Sequence, residues 1–348
     1  MRLLLIRHGE TVDNVAGNYA GITDSALTNH GVLQANRLGN HLAENGVKVS
    51  HLFSSDLQRA FITAEAIREA QDPTRPQTTK LQLLREQDFG FYEGKKFFER
   101  PREGNKTGKD AHLEAHRDEP GFVDVESKES MRIRVDAFID AHLVQLMHEV
   151  EEDKTVVVVA HGIILSHLWR AVLKRFHPFV TVAPEVQSRA PGFSLEYLGG
   201  WSNTGYLDLE VKTRPGFVSG FSGPSSDAGL SADASAFSPT SGAPDPVLPD
   251  GSLPEGTEFQ NPPTSSPALP QNPATTAETV FDRSRAPPRG LQELYLVVNA
   301  VNSQEHLKGL KKTRGGIGNL KHDSNQQRVD SFFKKRKLEP PPENDGGV

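Results

Sequence analysis

Short apolar runs alternate with segments of helical spacing over the first 212 residues of the chain. Runs typical of buried strands stand at Leu3–Ile6, Val47–Phe53 and Thr155–Ala160. Segments with the apolar spacing of helices stand between and after them. They are Asn29–Asn45 with apolar Leu33, Leu38 and Leu42, Leu57–Ala70 with Ala60, Ala64 and Ile67 on one face, Ser127–Val150, and His167–Phe176. This alternation predicts a three-layer α/β/α sandwich, in which a mostly parallel sheet is covered by helices on both faces.

Composition excludes several classes of protein. The 348 residues include no cysteine, which excludes disulfides, a thiol nucleophile and thiolate metal sites. No apolar run approaches the ~18 residues of a membrane-spanning helix, and Met1–Ile6 is too short for the core of a signal peptide. The mean hydropathy of −0.50 is low for a chain that is compact throughout, which indicates that part of it lacks a core.

The composition changes at Arg214. Residues 214–288 hold more than half of the chain's 24 prolines and no lysine. Such a stretch buries too little apolar area to offset an ordering entropy of about 1–2 kcal/mol per residue, so we expect it to be disordered. A run of strand length follows at Leu294–Val301, and residues 309–348 are expected to form a disordered basic tail. The net charge of −6 therefore averages a basic tail with an acidic remainder.

Two of the predicted strands end in a histidine followed by a glycine, at Arg7–Gly9 and at His161–Gly162. The carboxyl ends of parallel strands form the crevice in which open α/β folds bind ligands, so both histidines are expected in one site. One histidine after a strand is most often an ordinary packed residue. Two of them are stronger evidence, since the glycine beside each permits close backbone approach. Arg7 and Arg59 add planar donors suited to phosphate oxygens.

Six ordered motifs carry a resemblance to a known family. They are Arg7–Thr11 with Asn14, Thr23–Thr28 with Gly31 and Gln34–Ala35, Ser54–Ala60, Leu84–Gly90 with Glu93–Gly94, Glu126–Ser127 with Arg134, and Val159–Gly162. In these motifs the sequence resembles the histidine phosphatase superfamily, whose fold is phosphoglycerate-mutase-like. Ala26 departs from the pattern, because the family usually has Pro there. The resemblance covers about residues 1–212.

A later segment also resembles this family, whose members commonly close the sheet with an Asn-Thr strand and a final strand ending in N...HL. The matching residues are Asn203–Thr204, Leu294–Val301, Asn302 and His306–Leu307. The resemblance implies one histidine phosphatase domain made of residues 1–213 and 289–308, with 214–288 as a Pro/Ser/Ala-rich insertion. The cost of closing a loop grows only logarithmically with its length, so the insertion is tolerable.

The resemblance implies a phosphatase that works through a phosphohistidine, and the chemistry of the substrate agrees. A phosphate monoester is a dianion that repels nucleophiles, so its oxygens need neutralising donors. Neutral His8 would attack phosphorus, and Glu86, kept protonated near neutrality by burial, would act as general acid and then as base. The residues that would bind the phosphoryl oxygens are Arg7, Arg59, a protonated His161, Asn14 and Gly162. No metal and no cofactor is required.

Alternatives stay open at this point. A phosphoglycerate mutase-type phosphotransferase shares these residues, although Thr11–Asn14 lacks the Trp that mutases usually carry after this motif. A non-catalytic scaffold is the second alternative, and the full set of catalytic residue types argues against it. Taken alone, Glu86 would be an ordinary solvated carboxylate. The substrate, a phosphorylated small molecule or a phosphoprotein, depends on residues 94–126, for which the sequence gives no geometry.

A short motif stands in the basic tail, at 326–333. It fits the spacing Q-x-x-Φ-x-x-aromatic-aromatic and consists of Gln326, Val329, Phe332 and Phe333. This resembles the motif with which partners bind the eukaryotic sliding clamp, proliferating cell nuclear antigen (PCNA). A single 3₁₀ turn stacks positions i and i+3, so the three apolar side chains would form one plug. Two exposed phenylalanines without a core to enter usually mark a binding surface.

A basic run follows this motif directly and consists of Lys334, Lys335, Arg336 and Lys337. It fits a nuclear-import signal or a contact to DNA phosphates. The tail therefore predicts PCNA and an import receptor as partners, no membrane partner, and a location in the nucleus and cytoplasm of a eukaryotic cell. A tail that only keeps the chain soluble is the alternative.

Overall fold

A seven-stranded sheet forms the centre of the part of the chain that the computed structural model describes, namely residues 1–73, 75–96, 114, 116–149, 154–187, 194–215, 291–311 and 317–322. Its strands are β1 Arg2–Arg7, β2 Val49–Ser55, β3 Thr78–Leu81, β4 Thr155–Ala160, β5 Val180–Val182, β6 Tyr206–Thr213 and β7 Leu294–Ser303. They lie in the order β3-β2-β4-β1-β6-β7-β5. Only β6 runs antiparallel to its neighbours, so the predicted mostly parallel sheet is confirmed.

Helices cover the sheet. They are α1 Val12–Ala16, α2 Asn29–Glu44, α3 Gln58–Glu69, α4 Lys128–Phe138, α5 Val144–His148, α6 Gly162–Phe176 and α7 Pro184–Gln187. A π-helical turn over Ile139–Leu143 joins α4 to α5, so the helix predicted from Ser127 continues almost to its expected end. None of the helices in the described ranges is long and apolar enough to cross a membrane.

Side chains of the central strands alternate between two apolar cores. Leu3 and Leu5 of β1 pack in one core with α4, α5 and α6, whereas Leu4 and Ile6 pack in the other with α2 and α3. Strand side chains point alternately to the two faces, so apolar residues at every position of β1 require a layer of helices on each face. The three-layer α/β/α sandwich is thereby confirmed.

The helix faces largely follow the sequence pattern. The apolar face predicted for α3 is fully buried and consists of Ala60, Ala64 and Ile67. The Ser127 hydroxyl caps α4, because it accepts a hydrogen bond from the Ser130 N–H at 3.0 Å. One position of α2 differs from the pattern. Leu33 is 45 % exposed, since the buried stripe of this helix runs through positions 31, 34, 35, 38 and 42.

Strands β6 and β7 are neighbours in the sheet although residues 214–293 separate them in sequence. Thr213 pairs with Leu294, and the Arg214 N–H donates to the Glu293 carbonyl at 2.8 Å. The chain therefore leaves the sheet and returns to it at the same point. The disorder expected for 214–288 concerns residues that lie almost wholly outside the described ranges, and it stays a prediction. Within the predicted tail, residues 317–322 are described and pair with the start of α2 through Leu320 and His322.

Candidate active site

A cavity of about 530 Å³ lies at the carboxyl ends of β1 and β4. These strands are adjacent and parallel, with Arg7 opposite Ala160, so the residues that follow them stand side by side. The ring centroids of His8 and His161 are 5.0 Å apart. The predicted site residues that line the cavity are Arg7, His8, Asn14, Arg59, Glu86 and Gly162. His161 is fully buried and is not among these lining residues, and its ring lies at the site through its closeness to His8.

His8 is held in one tautomer. Its ring is 4 % exposed, and Nδ1 lies 2.7 Å from the Gly9 carbonyl oxygen. Because a carbonyl only accepts hydrogen bonds, Nδ1 carries the proton and Nε2 carries a free electron pair. Burial and the charges of Arg59 and Arg7 hold the pKa of His8 well below its usual value. His8 is therefore a neutral imidazole with a nucleophilic nitrogen.

His161 differs from the protonated state expected from the sequence. Arg59 Nε donates to His161 Nδ1 at 3.1 Å, so Nδ1 is an acceptor and the proton is on Nε2. Burial, together with the charge of Arg59, lowers the pKa of His161 well below its usual value. The ring is neutral for this reason. Its Nε2–H is buried and has no hydrogen-bond partner among the described residues, which leaves it as a donor for an incoming oxygen.

The two arginines are oriented by backbone carbonyls. Arg59 is 2 % exposed and donates from Nη1 to Thr23 O at 2.8 Å and from Nη2 to Gly21 O at 2.6 Å. Arg7 donates from Nη1 to the Trp201 carbonyl, and its Nε is buried without a partner in the described ranges. Each guanidinium keeps unused N–H groups, so both can bind oxygens of an anion in the cavity.

Glu86 lies across the beginning of α6. Its carboxylate oxygens accept hydrogen bonds from the N–H groups of Ile163 at 3.1 Å and of Ile164 at 3.0 Å, and Oε1 also accepts from the Gln87 N–H. The residue before the helix, His161, makes no side-chain cap. Glu86 therefore caps α6 from a segment 77 residues away, a role that its sequence motif does not indicate.

Asn14 and the two glycines complete the predicted set. Asn14 Oδ1 accepts from Asn203 Nδ2 at 3.0 Å, so the amide nitrogen of Asn14 is the end of its side chain that can donate to a ligand. A side chain at Gly9 would meet the Gly31 carbonyl oxygen at 2.6 Å, so close backbone packing requires glycine there. At Gly162 a Cβ would meet only Arg7 Nε, at 4.0 Å. The absence of a side chain at Gly162 keeps that part of the cavity open for a ligand.

Comparison with known proteins identifies the family. A family model described as "Histidine phosphatase superfamily (branch 1)" matches residues 3–180. The chain belongs to this superfamily. The match ends before β6 and β7, which belong to the same sheet, and before Asn203, which donates a hydrogen bond to the His8 carbonyl.

Relatives of this histidine phosphatase superfamily chain include phosphatases and mutases. A probable phosphatase of Schizosaccharomyces pombe is 34% identical over 181 residues, which are 49% of this chain and 56% of that protein. A broad-specificity phosphatase of Saccharomyces cerevisiae is 32% identical over 31% of this chain and 47% of its own length. A 2,3-bisphosphoglycerate-dependent phosphoglycerate mutase of Latilactobacillus sakei is 36% identical over 26% of this chain and 39% of its own length. The chain thus spans about half the length of these relatives or less.

Among solved structures, a mycobacterial hydrolase is 26% identical, with a TM-score of 0.44 over 62% of this chain and 91% of its own.

The loop before β6 supports the site around His8, and sequence analysis did not predict its role apart from its Asn-Thr pair. Asn203 Nδ2 donates to the His8 carbonyl at 3.1 Å, and the Thr204 N–H lies 3.0 Å from Arg7 O and 3.2 Å from His8 O. Trp201 Nε1 donates to Ser166 Oγ at 2.9 Å, and both residues line the cavity. The one sequence signal for Trp201 is its position just before the Asn-Thr pair.

The segment after β7 holds this loop in turn. His306 is 6 % exposed, and its Nε2 lies 2.9 Å from Thr204 Oγ1. Since the Thr204 hydroxyl donates to the Asn203 carbonyl at 2.7 Å, His306 Nε2 is the donor in that contact. Asn302 bonds Ser202 through both ends of its amide, at 2.9 and 3.0 Å. Thr204 has a φ of 56°, a left-handed conformation that these contacts stabilise.

We expect His306→Ala to lower the free energy of unfolding by about 1–3 kcal/mol, because the buried Thr204 hydroxyl loses its donor. His306→Gln should restore most of it, since the amide also donates.

Burial lowers the pKa of His306 to about 4. The unfolded chain then binds more protons than the folded chain between pH 6.5 and about 4, so wild-type stability falls as the pH falls through this window. The midpoint temperature of thermal unfolding should decrease less steeply with decreasing pH in His306→Gln than in the wild type. Equal slopes in the two proteins would contradict the lowered pKa of His306 as the cause.

The predicted tail motif, 326–333, and the basic run Lys334–Lys337 lie outside the described residues. The same is true of 97–113, about half of the segment 94–126 on which the choice of substrate is predicted to depend.

Proposed function

We propose that this protein is a phosphomonoester phosphatase that works through a phosphohistidine at His8. The observation that carries the proposal is the state of His8, whose Nδ1–H is fixed by the Gly9 carbonyl so that the Nε2 electron pair is available beside two guanidinium groups. A dianionic phosphoryl group needs this combination, because its charge has to be neutralised while a nucleophile approaches in line.

In the first step, His8 Nε2 forms a bond to phosphorus and the bond from phosphorus to the ester oxygen breaks. Arg7 and Arg59 donate to the three non-bridging oxygens, together with the Nε2–H of His161. The leaving oxygen takes a proton from Glu86, whose carboxyl group lies in the same cavity. The products of this step are an alcohol, an ionised Glu86 and His8 carrying the phosphoryl group.

In the second step, a water molecule attacks the phosphohistidine. Glu86, now ionised, accepts a proton from this water, and the bond between phosphorus and His8 Nε2 breaks. Inorganic phosphate leaves, and both His8 and Glu86 return to their starting states. The attacking water supplies the electron pair for phosphorus and the proton that restores Glu86, so the cycle as a whole converts an ester and water into an alcohol and phosphate.

The experiment is a phosphate-release screen over sugar phosphates, nucleotides, phosphoglycerates and phosphopeptides. A phosphatase releases inorganic phosphate from at least one class with net hydrolysis. A phosphoglycerate mutase would instead interconvert the 2- and 3-phospho isomers with little release, and a non-catalytic scaffold would do neither. Either of the last two results would overturn the proposal.

We further propose that the tail tethers this phosphatase to the sliding clamp PCNA in the nucleus. Support comes from the sequence, in which Gln326, Val329, Phe332 and Phe333 stand at the clamp-binding spacing. The basic run Lys334–Lys337 is proposed to bind an import receptor, which would place the protein in both nucleus and cytoplasm.

Replacing both Phe332 and Phe333 with Ala should lower affinity for purified PCNA by at least about 100-fold, because the apolar plug supplies most of the contact area. Isothermal titration calorimetry with the full chain measures this. The matched control is a double alanine variant at Arg336 and Lys337, which keeps the plug and should change affinity only weakly at physiological salt. Equal losses in the two variants would show that charge alone drives binding.

A further inference from the structure

The lining of the catalytic cavity falls into two chemical groups. One group is charged and consists of Arg7, Arg59 and Glu86. The other is apolar and includes Tyr19, Phe89 and Trp201. The Tyr19 and Phe89 rings pack against each other with centroids 4.6 Å apart, which presents a continuous aromatic surface.

The charged group balances a single phosphate. The two arginines carry +2, the two histidines are neutral, and Glu86 is uncharged when it enters the reaction as the proton donor. A bound phosphomonoester dianion therefore uses all of the positive charge in the described lining. A second anionic group on the same substrate would find no cation in that lining.

Three basic side chains on the described segments next to the cavity have partners elsewhere. Arg85 forms a two-point ion pair with Asp56 at 2.6 and 2.8 Å. Arg134 pairs with Glu126 at 2.8 and 2.9 Å. The Lys95 ammonium lies over the Phe91 ring. None of these three lines the cavity, so none is placed to bind a carboxylate or a second phosphate there.

We propose that the site takes small phosphomonoesters whose leaving group is uncharged and carries an aromatic or apolar ring, and that it discriminates against substrates with a second anionic group, such as phosphoglycerates. The inference rests on the proposed phosphatase function and deepens it by naming the substrate class. The aromatic surface of Tyr19 and Phe89 binds the ring, and burial of the ring against it supplies the binding energy.

A matched pair of esters tests the inference on the full-length protein. Phenyl phosphate and 3-carboxyphenyl phosphate have leaving phenols of similar acidity, so their rates differ mainly through the carboxylate. We expect kcat/KM for phenyl phosphate to be at least about tenfold higher, as expected for one unpaired charge in a partly buried site. Equal or better turnover of the carboxylated ester would overturn the inference and leave the phosphatase function standing. Turnover of neither ester, with phosphate released from another class in the screen, would also overturn the inference alone, whereas release from no substrate at all would overturn the proposed function itself.

Two substitutions sharpen this test. Phe89→Ala should lower kcat/KM for phenyl phosphate about tenfold while lowering it much less for methyl phosphate, which has no ring. The control is Phe91→Ala on the same segment, because Phe91 packs on Tyr92 and Phe122 and does not line the cavity.

Ala20→Lys adds a cation to the lining and should raise the relative rate of the carboxylated ester several-fold. Equal losses of kcat/KM for phenyl phosphate and methyl phosphate in Phe89→Ala would contradict the assigned aromatic surface. In Ala20→Lys, an unchanged ratio of kcat/KM between 3-carboxyphenyl phosphate and phenyl phosphate would contradict the assigned lack of a second cation.

Discussion

His8→Asn should lower kcat/KM by at least about 10⁴-fold, because the side chain that replaces the imidazole has no nucleophilic electron pair. Wild-type protein mixed with a ³²P-labelled phosphomonoester and quenched should carry an acid-labile label, and the variant should carry none. The fold should persist, since an Asn amide can also donate to the Gly9 carbonyl that His8 now bonds.

The matched control for this variant is His51→Asn, a histidine of β2 that does not line the cavity and bonds only Ser50 among the described hydrogen-bond partners. It should retain full activity and label. A label of wild-type intensity in His8→Asn would mean that another group is the nucleophile. Loss of both label and the thermal unfolding transition would point to misfolding, and His8→Gln would then serve as the second variant.

Glu86→Gln should lower kcat by about 10²–10³-fold for an alkyl phosphate, since a leaving alkoxide needs a proton that the amide does not give. The loss should be much smaller for 4-nitrophenyl phosphate, whose leaving group departs without protonation. This comparison separates proton donation from the cap on α6, because disturbing the helix would slow both substrates alike. We expect Glu86→Gln to lower the free energy of unfolding by about 1–2 kcal/mol, because one N–H group at the start of α6 would then face the amide NH₂, which cannot accept a hydrogen bond.

Glu93→Gln is the control for this variant. Glu93 also accepts backbone N–H groups, from Ile22 at 2.7 Å and Thr23 at 2.9 Å, but it does not line the cavity. Glu93→Gln should lower the free energy of unfolding by a similar amount, and its effect on kcat should be the same for the alkyl phosphate and for 4-nitrophenyl phosphate. Equal slowing of both substrates in Glu86→Gln would assign Glu86 a positioning role only.

Sequence predicted the location of His8 and His161 because that location follows from a local rule. Both residues come directly after apolar strands, and adjacent parallel strands end at one edge of the sheet. The core face of α3 was predictable for a similar reason, since its apolar spacing directly encodes which side packs inward. These features need only short stretches of sequence.

The features that sequence did not predict depend on contacts between distant segments. The cap that Glu86 provides to α6 joins residues 77 positions apart, and the contact between His306 and Thr204 spans 102. The neutral state of His161 depends on burial and on the placement of Arg59, neither of which a motif records. The ionisation and support of the site are therefore tertiary properties, whereas its residue types are local ones.

Because the chain leaves the sheet at the end of β6 and returns to it at the start of β7, we expect the domain to tolerate a break in the peptide between these two strands. Strand β7 is hydrogen-bonded to β6 on one side and to β5 on the other, and the pair Thr213 and Leu294 closes the base of the connection. A protease cut between 216 and 290 would therefore produce two fragments that stay together, elute as one species from a sizing column and keep the activity. Fragments that separated without denaturant would contradict this. The part of the domain up to β6 and the part from β7 onward are held together by the hydrogen bonds of the sheet rather than by the peptide that connects them.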